Sequence, residues 1–448
     1  MNDAWIVGGA LRDELLGREV RDVDVAVAGD PKRAATALAK QMGGPVFRLS
    51  EAFGAWRVID RKSGQVWDFS PLQGATIEED LAQRDFTVNA LARPFDGGDL
   101  IDPTSGRADI ESRTLRVLGP QAYERDPLRA LRLPRFTAEL GFTPDAETEQ
   151  LTRAAAPLTA SAAGERIFLE LRRLVIADGA LEGLQLADRL GVLEAVLPEL
   201  TALHEVEQSD YHHLDVYDHT LEVLSQQIQV ERRLGELFDD DARVRRMLEE
   251  PLSDELTRAQ ALRFGALLHD IGKPGTRDVL PNGRVTFMGH DKLGERMVGD
   301  LCRRLRTSER FSRFVGSLTR HHLVLGFLVH ERPLDRGQVY RYLRLTTPTE
   351  VDVTLLSCAD RLATQGRKGE EATKVHLELA RELMEAALDW REQGPPGVPV
   401  RGDELAAELG IEPGPELGRL LAELEQAAYA GEATTREQAV ALARRLLA

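Results

Sequence analysis

Over the first hundred residues the spacing of apolar positions changes several times, and after that it settles. The apolar run Ile6-Val7 reaches Gly8-Gly9, and Leu11, Leu15 and Leu16 then fall on one side of a helix. From Asp22 the pattern alternates, with Val23, Val25 and Val27 set against Asp22 and Asp24, as in a strand with one buried face. Val23–Val27, Trp56–Ile59 and Val66–Phe69 are predicted strands, and Lys32–Met42 a helix. Gly29-Asp30-Pro31 and Lys62-Ser63-Gly64 supply turns. Beyond Asp102-Pro103-Thr104-Ser105-Gly106 the period is helical to the end, as in Ile167, Leu171, Leu174 and Val175. Pro157, Pro198 and Pro251 punctuate this region, and Gly394-Pro395-Pro396-Gly397-Val398-Pro399 sets off a last helical piece. No repeat of roughly 20–50 residues and no low-complexity tract is present. The expected fold class is α+β: a small α/β head followed by an all-helical neck, body and tail.

Bulk properties narrow this only in places. The 448 residues suggest about three domains. Composition is that of an ordinary globular protein, 42% hydrophobic and 29% charged. A net charge of −17 argues against a general polyanion binder, so a nucleic-acid path has to be a local basic groove. Cys302 and Cys358 form neither a disulfide framework nor a zinc spacing, which fits a reducing compartment. The N-terminal apolar run is too short for a signal peptide, and no stretch reaches membrane-helix length. The expectation is a cytoplasmic protein that makes no use of a membrane.

Three clusters in the first 140 residues carry chemistry. Asp22 and Asp24, two apart on a strand, present carboxylates to one face beside Gly8-Gly9. Such a pair repels itself unless a cation sits between, and oxygen-only ligands suit Mg²⁺ held together with substrate phosphates. Glycines at a helix start let backbone N–H groups approach a phosphate. The same residues also fit a plain glycine turn and an acidic strand edge. Asp68, an acid on an apolar strand, either completes the carboxylate cluster or sits at a strand edge.

In the second cluster, Glu79 to Ala92, Arg84 offers a planar fork to a phosphate and Asn89 a hydrogen bond to a sugar hydroxyl; a solvated surface helix is the alternative. In the third, Asp126-Pro127 predicts a helix start, with Asp126 as N-cap. Asp126 and Arg129 then lie one turn apart and offer an acceptor and donors to a base edge. Arg132 and Arg135 step on around the helix, towards phosphates or another strand. From Arg107 to Arg135 there are seven arginines against four acids, a locally basic stretch, which a surface stripe paired with helix acids would also explain.

In this order and spacing the clusters resemble the class II tRNA nucleotidyltransferase and bacterial poly(A) polymerase family. The likeness runs from residue 5 to about 173: Gly-Gly-x-x-Arg-Asp, Asp-x-Asp, Arg-Asp-Phe-Thr-x-Asn-Ala, Asp-Pro-x-Arg-x-x-Arg-x-x-Arg-Phe, then Glu165-Arg166-Ile167 with Glu170-Leu171. The resemblance implies a palm whose Asp22 and Asp24 hold catalytic Mg²⁺; Asp68 is a third candidate catalytic carboxylate. It implies a nucleotide site of Gly9, Arg12, Arg84, Asp126, Arg129, Arg132 and Arg135, in which Asp126 and Arg129 read the base of CTP or ATP; the residue chemistry above adds Gly8 and Asn89. The implied reaction is in-line attack of an RNA 3′-hydroxyl on the α-phosphate with loss of pyrophosphate, two metals stabilising attacking and leaving oxygens. Gln83 stands where the family often has Arg, Arg125 where it usually has Glu, and Pro134 falls inside the arginine helix, where it should kink the helix or drop a hydrogen bond. Only 15 residues separate Asp68 from Arg84, where CCA-adding members usually carry a longer loop, so CC addition to tRNA is preferred over full CCA addition.

A separate constellation lies further on. Nearly every histidine falls between 204 and 330: His212-His213 and His219, His269-Asp270 before Gly272-Lys273-Pro274, His290, and His321-His322; Asp360 follows. Imidazole with carboxylate suits Mn, Fe, Co, Ni or Zn better than Mg. The spacing resembles the HD phosphohydrolase superfamily, which implies His219, His269, Asp270 and Asp360 as ligands, with His290, His321 and His322 near a phosphate or a second metal. Phosphomonoesters or 2′,3′-cyclic phosphates at an RNA 3′ end would then make the chain a combined repair and extension enzyme.

The expected organisation is a palm head at 1–105, a helical neck at 106–200, an HD domain at 201–365 and a helical tail at 366–448. Expected partners are the tRNA acceptor end, CTP and, for CCA addition, ATP; the oligomeric state is left open. The rival readings are a poly(A) polymerase, an HD hydrolase with an RNA-binding head, and a non-catalytic RNA-binding protein.

Overall fold

The structure, a computed structural model, describes residues 3–51, 54–208, 214–364 and 369–447. It divides into two compact units, 1–198 and 199–448.

The first unit opens with a six-stranded sheet in the order β3-β4-β5-β2-β1-β6, where β1 is Ala4–Val7, β2 Asp22–Val27, β3 Val46–Ser50, β4 Ala55–Ile59, β5 Val66–Pro71 and β6 Ala92–Pro94. Only β2 and β5 run parallel. Helix α1 (Gly9–Leu15) follows β1, and α2 (Pro31–Met42) follows β2. Asp30 caps α2 by accepting from Lys32 N at 2.9 Å, Pro31 takes the first helical position, and Gly43 ends the helix in the left-handed region. Ala34, Ala35, Leu38 and Ala39 of α2 join Val23, Val25, Val27, Val58 and Phe69 in one buried cluster. Burying Leu38 alone is worth roughly 2 kcal/mol. The opposite face buries Val7, Ala26, Ala90 and Ala92 with Ile77 and Leu81 of α3 (Ile77–Leu81). Asp22 and Asp24 share that second face with Ala26, so the α2 side is wholly core and the α3 side carries the polar groups.

Helices α4 (Gly106–Glu111) to α9 (Ala180–Arg189) complete the unit: α5 is Gln121–Arg125, α6 Arg129–Leu140, α7 Ala146–Ala155 and α8 Gly164–Ile176. One expectation needs correction here. The helix after Asp126 begins at Arg129, because the entry turn is closed by i→i+3 bonds, Arg129 N to Asp126 O and Ala130 N to Pro127 O. Asp126 still caps the turn, accepting from Leu128 N at 3.3 Å. Helix α6 runs through Pro134, which has no N–H to give to the carbonyl one turn back.

The second unit is mainly helical, with two short antiparallel pairings at Pro251–Ser253/Leu256–Thr257 and Asp278–Val279/Val285–Thr286 that apolar periodicity had not indicated. Its tail helices, Gly402–Leu409, Pro415–Ala430 and Arg436–Leu447, share a core of Leu405, Leu424, Ala439 and Ala443. Among the described residues no helix is long and apolar enough to cross a membrane.

Candidate functional site

Strand register assembles the head site. Val7, Asp24, Asp68 and Arg57 are successive partners across β1, β2, β5 and β4, so they project from one face in a row. Arg57 clamps Asp68 with two bonds, Nε to Oδ1 at 2.8 Å and Nη2 to Oδ2 at 2.7 Å. Solvent reaches Asp24, but its carboxyl is hemmed in. Removal from bulk water, with repulsion from Asp68 and Asp22, raises its pKa against the pull of Arg84 and Arg57. Three carboxylates gathered until one resists ionisation make a hard oxygen donor set that fits a divalent cation such as Mg²⁺.

Gly8 closes the site from the β1 side. It holds φ 74°, ψ −135°, and a Cβ there would lie 2.7 Å from Arg84 Nη1 and 3.9 Å from Asp24 Oδ2. Both the positive φ and the space demand glycine. Arg84 is anchored by Nε and Nη2 on Asp80 Oδ2, at 3.2 and 3.0 Å. Asp80 in turn accepts from Gln73 N at 2.9 Å, which pins the short connection after β5 onto α3. Ala75 N to Glu79 Oε2, 2.7 Å, pins it a second time.

A buried polar chain leads from there into the helices. Arg12 grips Asp13 and donates to Asn89 Oδ1 at 2.6 Å; Asn89 Nδ2 donates to Asp85 Oδ1 at 2.9 Å. Asp85 Oδ2 accepts from Arg132 at 3.1 Å, and Glu170 ties Arg132 to Arg135 at 3.0 and 2.8 Å. Arg132 and Arg135 therefore turn inward, onto Asp85 and Glu170, where the expectation was a stripe stepping towards phosphates or another strand, or one paired with helix acids at the surface. Burial pushes Arg135 down to about 10 against the pull of Glu170 and Glu139. Burial alone would raise the Asp85 carboxyl, yet Arg132, Asn89, the Phe86 amide and Arg129 hold it at about 2.

A carboxyl lowered from its ordinary 3.8 stabilises the fold above that pH and loses the effect as pH falls through about 2. The advantage of wild type over Asp85→Asn should therefore be about 2 kcal/mol at neutral pH and vanish below pH 2. Urea unfolding at stepped pH measures it, and a pH-independent difference would refute it.

Beside this chain stand Asp126 and Arg129. Arg129 Nη1 donates to Arg84 O at 2.9 Å and Ala122 O at 3.3 Å, while its buried Nε has no hydrogen-bond partner among the described residues. Asp126 Oδ2 accepts from Arg166 at 2.7 Å. Arg125 turns away, to Ala82 O at 3.4 Å. The head thus brings together Gly8, Asp24, Asp68 and Arg84, with Asp22 two residues back along β2. Arg12 and Asn89 are joined to Arg132 and Arg135 by the polar chain, and Arg129 meets Arg84. Gly9 opens α1 beside Arg12, whose Nη2 would lie 3.3 Å from a Cβ there. Sequence reasoning passed over Arg57, Asp80 and Asp85, because their roles rest on cross-strand register and on partners that spacing does not reveal.

The second unit holds the histidine site. His219 lies on the helix Val216–Arg232, His269 at the end of Arg258–Leu268, His290 opening His290–Leu305, His322 ending Glu309–His321, and Asp360 on Glu350–Ala363. Two groups form, His219, His269 and Asp360, and Asp270, His290 and His322. His219 Nε2 is 3.0 Å from Asp360 Oδ1 and 3.8 Å from Asp270 Oδ2, and His269 Nε2 is 3.1 Å from Asp270 Oδ2. Asp270 therefore faces both groups. Its loop reaches His290 because Gly272 has no side chain: a Cβ there would lie 2.2 Å from His290 O.

Tautomers follow from the backbone. Nδ1 of His269, His290 and His322 sits 2.7–2.8 Å from the carbonyls of Ala266, Phe287 and Thr319, so each Nδ1–H donates outward and each Nε2 lone pair faces the centre. The Nε2 atoms of His290 and His322 are 3.3 Å apart, two lone pairs that a cation or a proton between them reconciles. Burial pushes His322 down to about 3 and keeps it neutral. Neutral imidazoles with carboxylates fit a transition metal. Lys273 Nζ bonds Asp270 at 2.6 Å and Gln208 at 2.7 Å. His321 joins neither group, and His212 and His213 lie outside the described residues.

Comparison with known proteins finds matches over both units. The "Poly A polymerase head domain" family matches residues 4–72 and 57–116, "Probable RNA and SrmB- binding site of polymerase A" matches 141–203, and "HD domain" matches 216–365. An A-adding tRNA nucleotidyltransferase of Deinococcus radiodurans is 36% identical over 99% of this chain and 95% of its own length. A CC-adding tRNA nucleotidyltransferase of Thermus thermophilus is 34% identical over 98% of this chain and 92% of its own. A solved tRNA nucleotidyltransferase complexed with a primer tRNA and an incoming ATP analog is 25% identical, with TM-score 0.57 over 85% of this chain and 96% of that one.

Proposed function

The chain belongs to the tRNA nucleotidyltransferase family, and within it we propose an enzyme that adds C residues to the 3′ end of tRNA from CTP. The observation that carries the chemistry is the row Asp24–Asp68–Arg57 beside Gly8 and Arg84, with Asp22 next along β2 and Asp126 and Arg129 at hand. Asp22, Asp24 and Asp68 would hold Mg²⁺, which when bound activates the RNA 3′-hydroxyl and stabilises charge on the transferring and leaving oxygens. The chain itself does the rest. The Gly8–Gly9 turn admits phosphate against the backbone amides of α1. Arg84, fixed by Asp80, donates to the triphosphate. Arg12 and Asn89 orient the sugar. Asp126 accepts from an exocyclic amino group while Arg129 donates to the ring. Arg132 and Arg135, through Asp85 and Glu170, hold the helix that carries these readers. In this reading the palm is 1–105, the neck 106–200, the HD domain 201–365 and the tail 366–448.

The preference for CC addition rests on the connection between Asp68 and Arg84, short and twice pinned to α3. The 36% identity with an A-adding enzyme favours a second reading, addition of the terminal A alone. tRNA ending at the discriminator base, at C or at CC, each offered CTP or ATP, separates them. Products that stop at CC support the first; A added only to the CC end supports the second. Long A tails on unrelated RNA would replace both with a poly(A) polymerase.

For the histidine site we propose a metal-dependent phosphohydrolase acting on phosphomonoesters or 2′,3′-cyclic phosphates at RNA 3′ ends. The buried carboxylate–imidazole set supports a transition metal there, and Lys273 beside Asp270 supplies a cation for a phosphate.

A further inference from the structure

The two base readers are held by unlike means. Arg129 is fixed by two carbonyl groups and left with one buried N–H that has no partner among the described residues. Asp126 is held by a side chain forty residues on: Arg166, near the start of α8, donates from Nη2 to Oδ2 at 2.7 Å. Oδ1 accepts only the long bond from Leu128 N, at 3.3 Å. The turn beneath is steadied by Thr159 Oγ1, which donates to Pro127 O at 3.4 Å. With Arg125 pointing to Ala82 O, Arg166 is the one side chain bonded to the Asp126 carboxylate among the described residues.

This pair is a poor stabiliser. The Arg166 side chain is 47% exposed, and exposed ion pairs contribute little to folding. Its placement is better explained by what the carboxylate does. Cytosine and adenine present an amino group where uracil and guanine present a carbonyl oxygen. A carboxylate fixed with one oxygen forward accepts from the first two and repels the others. A carboxylate free to rotate, or to swing out into water, loses that discrimination.

We propose that Arg166 is a specificity-positioning residue: by clamping Oδ2 of Asp126 it presents Oδ1 to the incoming base and excludes nucleotides that carry a carbonyl at that edge. The inference rests on Asp126 and Arg129 being the base readers. Asp126 touches the base; Arg166 acts through it.

The test measures kcat and KM for one-nucleotide addition to tRNA, pairing whichever of CTP or ATP the wild type uses with its carbonyl counterpart, UTP or GTP. Arg166→Ala should reduce the preference at least about tenfold, by losing the correct nucleotide and gaining the wrong one, because a site that rejects by hydrogen bonding depends on its orientation. Arg166→Lys should restore most of the preference, since the observed contact is a single N–H···O bond. Arg173→Ala, on the same helix as Arg166, breaks a pair with Glu139 of α6 and should leave the preference unchanged. Equal loss with both nucleotides in Arg166→Ala, or an unchanged preference, overturns the proposal. Should the alanine variant fold poorly, Arg166→Met keeps the length of the side chain without its donors and is subject to the same two outcomes. A wild type that adds no nucleotide removes the base-reading premise and this proposal with it, a result distinct from extension with unaltered choice.

Discussion

With Asp24 replaced by Ala, nucleotide addition to tRNA is expected to fall by at least about a thousand-fold, with any HD hydrolysis unchanged. The size follows from what the carboxylate serves: metal assistance at a phosphoryl centre is worth several kcal/mol, and each ~1.4 kcal/mol is tenfold in rate. Asp24 is the position of greatest effect because it adjoins Asp68 across the sheet and also lies closest to Gly8, and so to the Arg84 guanidinium. Asp22→Ala should lose less alone, and the double variant should reach background. The fold should not suffer. A carboxyl whose pKa is raised in the folded protein is a burden above that pKa, so a neutral residue at position 24 should leave the neutral-pH urea midpoint unchanged or higher. Loss of extension with an unimpaired midpoint is the expected pair of results. Extension that survives Asp22→Ala with Asp24→Ala would remove the assignment.

The parts of this site legible from sequence were the local ones. Alternation from Asp22 to Val27 gave both the strand and the shared side of its carboxylates, and the turn at Gly29-Asp30-Pro31 with the helix Lys32–Met42 gave α2 to within one residue. β3 and β6 went unseen. Phe47 and Leu49 of β3 are exposed apolar residues on an edge strand, and β6 is three residues whose burial comes from its neighbours. Nor does composition announce that β5 pairs parallel to β2 in a register that sets Asp68 beside Asp24, with Arg57 on the far side. Arg132 and Arg135 showed as charges at helical spacing; that they turn inward depends on Asp85 and Glu170, 47 and 35 residues away along the chain. The histidines were legible as a set because chemistry-bearing residues were concentrated in one region. His290 and His322 already stood apart there from His219, His269 and Asp360; that Asp270 joins the second group and His321 neither was not legible, since it depends on where the helices beside His269, His290 and His322 begin and end.

That division makes the second large effect specific. Asp270 faces both groups, so Asp270→Asn should lose all bound transition metal and cut phosphohydrolase activity by at least about a thousand-fold. Asp360→Asn should strip only the group of His219 and His269, and His322→Ala only the group of Asp270 and His290, each leaving about half the metal. The asymmetry follows from geometry. Asp360 lies against His219, whereas His322 lies 3.3 Å from His290 and 3.7 Å from Asp270 Oδ1. Elemental analysis of the purified variants reads the metal, and hydrolysis of 2′,3′-cyclic AMP reads the activity. tRNA extension is the control and should hold at wild-type level, because no ligand of the histidine site belongs to the palm. Equal metal loss in all three variants would mean one cation held by all the ligands together. Full metal content in Asp270→Asn would mean that the carboxylate only orders the imidazoles around it.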